Sequence, residues 1–150
     1  MRRTMNLIVA MMMFFATACT PEDMPLTPSP TTVGDITLTI GDRIFTAKME
    51  QNSTAEAFRA LLPLTLEMLE LNDNEKYHYL SQSLPTNRTK VGTINAGDIM
   101  LYGDNCVVVF YETFTTTYQY TPIGHITNTE GLKEVLGSGT ATISFAITNK

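Results

Sequence analysis

The stretch GDIMLYGDNCVVVFYE, Gly97 to Glu112, constrains the fold of this chain more than any other. Two apolar runs, Ile99 to Tyr102 and Cys106 to Tyr111, flank Gly103-Asp104-Asn105, residue types that tolerate the positive φ of a tight hairpin. Strand side chains alternate, so Cys106, Val108 and Phe110 project one way and Val107, Val109 and Tyr111 the other. Both faces are apolar, which predicts a strand covered on both sides. Such a hairpin is the spine of a closed or nearly closed β-structure.

The surrounding pattern agrees. Ile36 to Ile40 alternates, Gly41-Asp42 turns, and Arg43 to Met49 returns, giving an opening hairpin. Ser53 and Glu56 have the S-x-x-E spacing of a capping box, and Ala55, Phe58, Leu61 and Leu62 form one apolar stripe, so a helix should start here and stop near Pro63. Leu64 to Leu71 alternates like a strand but is rich in helix formers, and Lys76 to Leu80 fits either a strand or a short helix. Asn72-Asp73-Asn74 marks a turn between them, and Pro85 to Asn95 reads as a loop. Thr115 to Tyr120 has strong β propensity, which Ile123 to Ile126 continues. Glu130 to Leu136 reads as a short helix stopped by Gly137, and Thr140 to Ile147 as the last strand. The expectation is a mainly β domain of about eight strands and two short helices.

Residues 1–18 read as a signal peptide. Arg2 and Arg3 are followed by an unbroken apolar run, Leu7 to Phe15, which is too short for a bilayer span of about 20 residues. Ala16-Thr17-Ala18-Cys19 resembles the lipobox of bacterial lipoproteins, in which the Cys becomes the lipidated first residue; the usual Leu three residues before the Cys is Ala16 here. Cys19 is therefore the expected lipidation site, with each buried acyl methylene contributing about 0.8 kcal/mol to membrane attachment. Residues 19–34 hold four of the seven prolines and read as an extended tether, leaving 35–150 as the domain. The expected address is the bacterial cell envelope, at the outer membrane or cell surface, with the lipid anchor as the membrane partner.

Charge narrows the partners further. The formal net charge is −5, and removal of residues 1–18 takes out Arg2 and Arg3 and no acid, moving it to −7. No basic run follows the first three positions, so nucleic acid is not an expected partner. Hydrophobic residues make up 43% of the chain and charged ones 17%, the balance of a folded domain rather than a disordered one.

Few residues suggest chemistry. With Cys19 lipidated, Cys106 has no disulfide partner and reads as a small buried hydrophobe. Neither His78 nor His125 has a neighbouring ligand at metal-binding spacing, so no metal is expected. There is no G-x-S-x-G elbow and no phosphate-binding glycine loop, so no catalytic residue and no cofactor is assigned. The enriched feature is the run Tyr111 to Tyr120, YETFTTTYQY, whose rings suit a groove.

Several segments, taken in order, resemble the bacterial cyclophilin-like domain family: TAEAFRALLPLTLEM, KYHYLSQSLP, the GDIMLY and VVVFYE strands, and YTPIGHI. The resemblance runs from about Asp35 to the C-terminus and implies a closed eight-stranded β-barrel with a helix at each end. It does not carry the prolyl isomerase activity with it. Cyclophilin isomerases have a strand reading F-H-R and an Asn- and Gly-rich region, and both are missing here; Phe58-Arg59, the only Phe-Arg pair, falls on the expected helix. Twisting a peptide bond means lowering a barrier of roughly 20 kcal/mol with a positioned donor such as Arg. The candidate groove residues are Arg59, Tyr111, Phe114, Tyr118, Tyr120 and His125. The first functional expectation is an anchored binding domain for a peptide, protein or small ligand that performs no catalysis. The alternative is a divergent prolyl isomerase acting on exported proteins.

Overall fold

The computed structural model describes residues 32–149; the expected signal peptide, Cys19 and residues 19–31 of the tether lie outside them. In chain order the elements are β1 (Ile36–Ile40), β2 (Arg43–Met49), α1 (Ser53–Ala60), β3 (Leu64–Leu71), β4 (Glu75–Tyr79), β5 (Thr89–Lys90), β6 (Thr93–Ile94), β7 (Asp98–Tyr102), β8 (Cys106–Phe110), β9 (Phe114–Thr115), β10 (Gln119–Ile126), α2 (Leu132–Leu136) and β11 (Ala141–Ile147). Eight of the strands close into an antiparallel barrel, in the order β2-β1-β11-β3-β4-β8-β7-β10, with β10 pairing back onto β2. β5 extends β10 beyond that closure, while β6 and β9 form a separate two-stranded ribbon.

Alternation sets the walls. Ile36, Leu38 and Ile40 of β1 and Phe45, Ala47 and Met49 of β2 point inward, as do Ala141, Ile143 and Phe145 of β11. The ambiguous LTLEMLEL segment is a strand, with Leu66 and Met68 buried and Thr65 and Glu67 exposed. Its partner Glu75–Tyr79 is a strand too. The two are joined by the three residues Asn72, Asp73 and Asn74, with Leu71 paired to Glu75 and with Asn72 and Asp73 both at φ 54, a conformation that Asn and Asp tolerate.

The helices close opposite ends. A Cβ added to Gly34, before β1, would meet Arg59 of α1, and one added to Gly41, after β1, would meet Val135 of α2. Phe58 of α1 stacks edge-on against Phe145 with ring centroids 5.4 Å apart, while Leu132 and Leu136 of α2 join the same core. The cap of α1 lies one residue earlier than the S-x-x-E spacing suggests. Asn52 Oδ1 accepts from Ala55 N at 2.8 Å, and its Nδ2 donates to Pro122 O at 2.9 Å. A tertiary bond thus selects Asn52 over Ser53 as the cap.

Two other segments depart from expectation. The loop expected over Pro85 to Asn95 contains β5 and β6, because Thr89–Lys90 finds the free edge of β10 and Thr93–Ile94 finds β9. The strand expected over Thr115 to Tyr120 breaks after Thr115. Thr116 N is tied to Gly92 O at 2.8 Å, and the Thr116 hydroxyl accepts from Tyr118 N at 3.1 Å, turning the chain before β10 begins at Gln119.

At one barrel end sits a buried cation. Lys76 is wholly inaccessible, and its Nζ donates to Glu70 Oε2 at 2.5 Å and to the carbonyls of Gly137 and Gly139, at 3.0 and 2.5 Å. Tyr111 Oη completes the group by donating to Glu70 at 2.8 Å. Burial opposes ionisation of Glu70, but hydrogen bonds from Lys76 and Tyr111 outweigh it and hold the carboxyl below its usual range. The pair fastens the residues after α2 to the barrel.

Closure of the barrel depends on Gly124, where an added Cβ would lie 2.5 Å from the Lys48 carbonyl oxygen. Backbone cannot yield as a side-chain tip would. Gly124→Ala is expected to destabilise the domain by about 1–3 kcal/mol or more, as overpacking of a fixed wall does. Urea denaturation of the two proteins checks this; an unchanged midpoint would mean that the β2–β10 seam is not under such constraint.

Candidate functional site

β8 divides two apolar layers. Its inward residues Val107 and Val109 belong to the barrel core, whereas Cys106, Val108 and Phe110 face outward and pack with Ile94, Met100 and Tyr120. Partly buried Tyr77, Val91 and Phe114 complete this second layer. It exists because the segments before β7 and after β8, which pair as β6 and β9, fold back as a flap over the outer face of β7 and β8. Phe110 stacks on Phe114 and Tyr120 at centroid distances of 5.7 and 5.6 Å. The two-sided cover read from the hairpin is thus barrel on one side and a folded-back flap on the other.

Where this flap stops, a cavity of about 600 Å³ opens onto the outer face of β4 and β8. That falls within the range of small-ligand sites, roughly 300–1,000 Å³. The walls are aromatic. Tyr77 and Tyr79 come from β4, Tyr102 from β7, Tyr120 from β10, and Phe114 and Tyr118 from the flap, so five of the six tyrosines of the chain line it. Tyr102 meets Tyr118 edge-on at 6.2 Å and Tyr120 at 5.6 Å. Tyr79 and Tyr118 are about 60% exposed, at 61% and 62%, and form an open aromatic rim. Thr115 to Thr117 add hydroxyls.

One carboxyl sits in this lining. Glu75 opens β4, is 8% exposed, and faces outward with Tyr77 and Tyr79 because they alternate with the inward Lys76. Burial pushes its carboxyl up to about 7, with the charge of Glu70 adding to the shift. Burial and the nearby Glu75 also push the Cys106 thiol up to about 11, and the Tyr120 hydroxyl up to about 12. A thiol held so firmly protonated is a poor nucleophile.

The expected groove residues divide. Phe114, Tyr118 and Tyr120 line the cavity together. Tyr111 does not, because it follows β8 with the parity of Val107 and Val109, and its hydroxyl is committed to Glu70. Arg59 lies on α1 beside Gly34, with its Nε buried and without a hydrogen-bond partner. His125 is exposed on β10 at the seam with β2, opposite Lys48. Neither lines the aromatic cavity: Tyr120 lies in the first half of β10 and His125 in its second half, beside β2, while Arg59 is on α1. The other histidine, His78, shares a 2.8 Å hydrogen bond with Glu67 O. Cys106, read as core, does line the cavity floor, though it is only 3% exposed. Among the described residues no cluster of three or more His, Cys, Asp and Glu side chains could hold a metal ion.

Glu75, Tyr77, Tyr79 and Tyr102 were not read as site residues from the sequence. The signal that finds them is parity: in Glu75-Lys76-Tyr77-His78-Tyr79 the odd positions share one face, and the register Tyr77↔Val108 and Tyr79↔Cys106 sets that face against the outward side of β8.

A closed barrel, plugged at both ends and carrying its cavity on the outer wall, defines a class of small β-barrel domains. The model of the cyclophilin-like family matches residues 38–147, and the chain belongs to that family. None of the curated proteins compared with the chain matches it.

The raised Glu75 carboxyl has a consequence for stability. A carboxyl that binds its proton more tightly when folded contributes stability that is complete below about 4.5 and lost as pH rises through about 7. At about 1.4 kcal/mol per pH unit, the loss amounts to about 3 kcal/mol. Glu75→Gln is therefore expected to stabilise the domain at pH 8 by about 1–3 kcal/mol and to change it little at pH 5. Urea midpoints at the two pH values decide it, and a variant weaker at pH 8 would contradict the assignment.

Proposed function

We propose that this chain is a lipid-anchored binding domain of the bacterial envelope, whose outer-wall cavity takes up a peptide, protein segment or small ligand without making or breaking its bonds. The observation that carries the reading is the aromatic cavity itself, built by side chains of five barrel strands and of the flap that covers the outer apolar layer. Exposed aromatic surface of this extent is the common mark of a binding site. A protonated Cys106 and a lining that includes no histidine, lysine or arginine among the described residues favour binding over catalysis. The anchor rests on the sequence alone: Arg2 and Arg3, the apolar run, and the small residues before Cys19.

Family membership raises prolyl isomerisation as a second reading. The cavity offers no cationic donor for a twisting amide, since Arg59 and His125 lie elsewhere. The full-length protein in detergent is expected to leave cis–trans exchange of a proline peptide at its uncatalysed rate, as followed by exchange NMR. Acceleration that Tyr120→Ala removes would replace the binding reading with an enzymatic one. Cys19→Ser is expected to move the protein from the membrane to the soluble fraction on cell fractionation; membrane retention of that variant would remove the anchor.

A further inference from the structure

The polar groups of the cavity are unevenly matched. Glu75 receives no hydrogen bond from any of the described residues, although it is 8% exposed. Beside it, Asn74 also lines the cavity and has a buried Oδ1 that no donor reaches. A buried acceptor without a donor opposes folding, more strongly when charged. Lys76, the next residue along β4, points into the barrel and is fully used by Glu70, Gly137 and Gly139. Among the described residues no lysine, arginine or histidine lines the cavity to repair the deficit.

What the cavity lacks is therefore a cationic donor, and its walls suit one. Ring faces attract ammonium groups, and Tyr102, Tyr118 and Tyr120 stand together in the wall, Tyr102 meeting Tyr118 edge-on and Tyr120 at a tilt. We propose that the cavity is a site for a primary ammonium group, seated on Glu75 and enclosed by the rings of Tyr102, Tyr118 and Tyr120. A primary ammonium is favoured over a quaternary one because Glu75 and Asn74 both require N–H donors. The inference deepens the binding reading above and rests on it. The same chemistry comes from a free alkylamine or from a lysine side chain in a peptide.

The titratable groups that line the cavity with Glu75 are Cys106 of β8, Tyr77 and Tyr79 of β4, Tyr102 of β7, Tyr120 of β10 and Tyr118 of the flap, while Glu70 of β3 acts on it by its charge from the inward side. Glu70 is held ionised below the usual carboxylate range, and the Cys106 thiol and Tyr120 hydroxyl are pushed up to about 11 and 12. Glu75, pushed up to about 7, is then the group that titrates between pH 6 and pH 8. A cation binds its ionised form, so affinity falls about tenfold from pH 8 to pH 6, following the ionised fraction.

The chain contains no tryptophan and five of its six tyrosines line the cavity, so tyrosine fluorescence reports occupancy directly. The full-length protein in detergent is titrated with n-butylammonium, with neutral 1-butanol, and with the methylamide of N-acetyl-lysine. The expected result is saturable binding of the two ammonium compounds, roughly tenfold weaker at pH 6 than at pH 8, with butanol at least tenfold weaker than either. Glu75→Gln should abolish the preference over butanol, and Tyr118→Ala, at an exposed position, should weaken ammonium binding while leaving the urea midpoint unchanged. Tighter binding of the lysine derivative assigns a peptide as the source, and tighter binding of butylammonium a free amine. Equal binding of butanol and butylammonium, unaffected by Glu75→Gln, overturns the ammonium site and leaves the binding reading intact. If none of the three compounds changes the fluorescence, both fall.

Discussion

The seam between β2 and β10 is the constraint on which the rest of the molecule depends. β10 serves three neighbours at once: β7 along its length, β5 near its start and β2 near its end. It does so with a register shift between Pro122 and Gly124, the bulge leaving Ile123 inside the core. Proline is tolerated in a strand where it need not donate, and glycine where another backbone comes close. Pro122-Ile123-Gly124 puts both in succession, with Gly124 against Lys48. A closed barrel has no exposed edge within its wall, and that closure leaves the outer face free to carry a flap and a cavity.

Within that frame, two acids five residues apart meet opposite fates. Glu70 lies on the inward side of its strand end, where a buried lysine and the Tyr111 hydroxyl hold it ionised. Glu75 lies on the outward side, where burial and the charge of Glu70 hold it protonated up to about 7. Their strand positions explain the difference. Glu70 pairs with Lys76 across the β3–β4 hairpin, while Glu75 pairs with Leu71 and so meets no cation. The three-residue turn from Asn72 to Asn74 fixes that register, and a slip by one residue would exchange the faces. The chemistry of the cavity is thus set by a turn at its margin, whose Asn72 and Asn74 also line it.

The barrel was legible because its signals are local. Alternation in β1, β11 and the β7–β8 hairpin, the glycines at the turns, and the stripe of α1 each speak for themselves. The flap was not, because β5, β6 and β9 are two residues each and exist only through partners distant in sequence. The candidate site shared this fate in part. Phe114, Tyr118 and Tyr120 were legible from aromatic enrichment, but reading Tyr111 to Tyr120 as one ribbon ignored the parity that sends Tyr111 into the barrel and the turn at Thr116 that interrupts the strand. Arg59 and His125 were selected by residue type, and type carries no information about which wall a side chain faces. Glu75 and its tyrosine neighbours required the β4–β8 register, which no local window contains.

Glu75 is also where the chain most plainly departs from what stability alone would select. Much of the design elsewhere agrees: Asn52 caps α1, glycines stand at left-handed turn positions, and the buried lysine is fully partnered. A glutamate in an aromatic wall, without a donor and near a second acid, opposes folding at neutral pH. Departures of this kind concentrate at functional sites, where the missing partner arrives with the ligand. A ligand that supplies the cation removes the strain, and by mass action it stabilises the folded state in proportion to its occupancy. On the reading proposed for the cavity, the instability of Glu75 and the selectivity of the site are one property: the carboxyl prefers a cation because the protein gives it none.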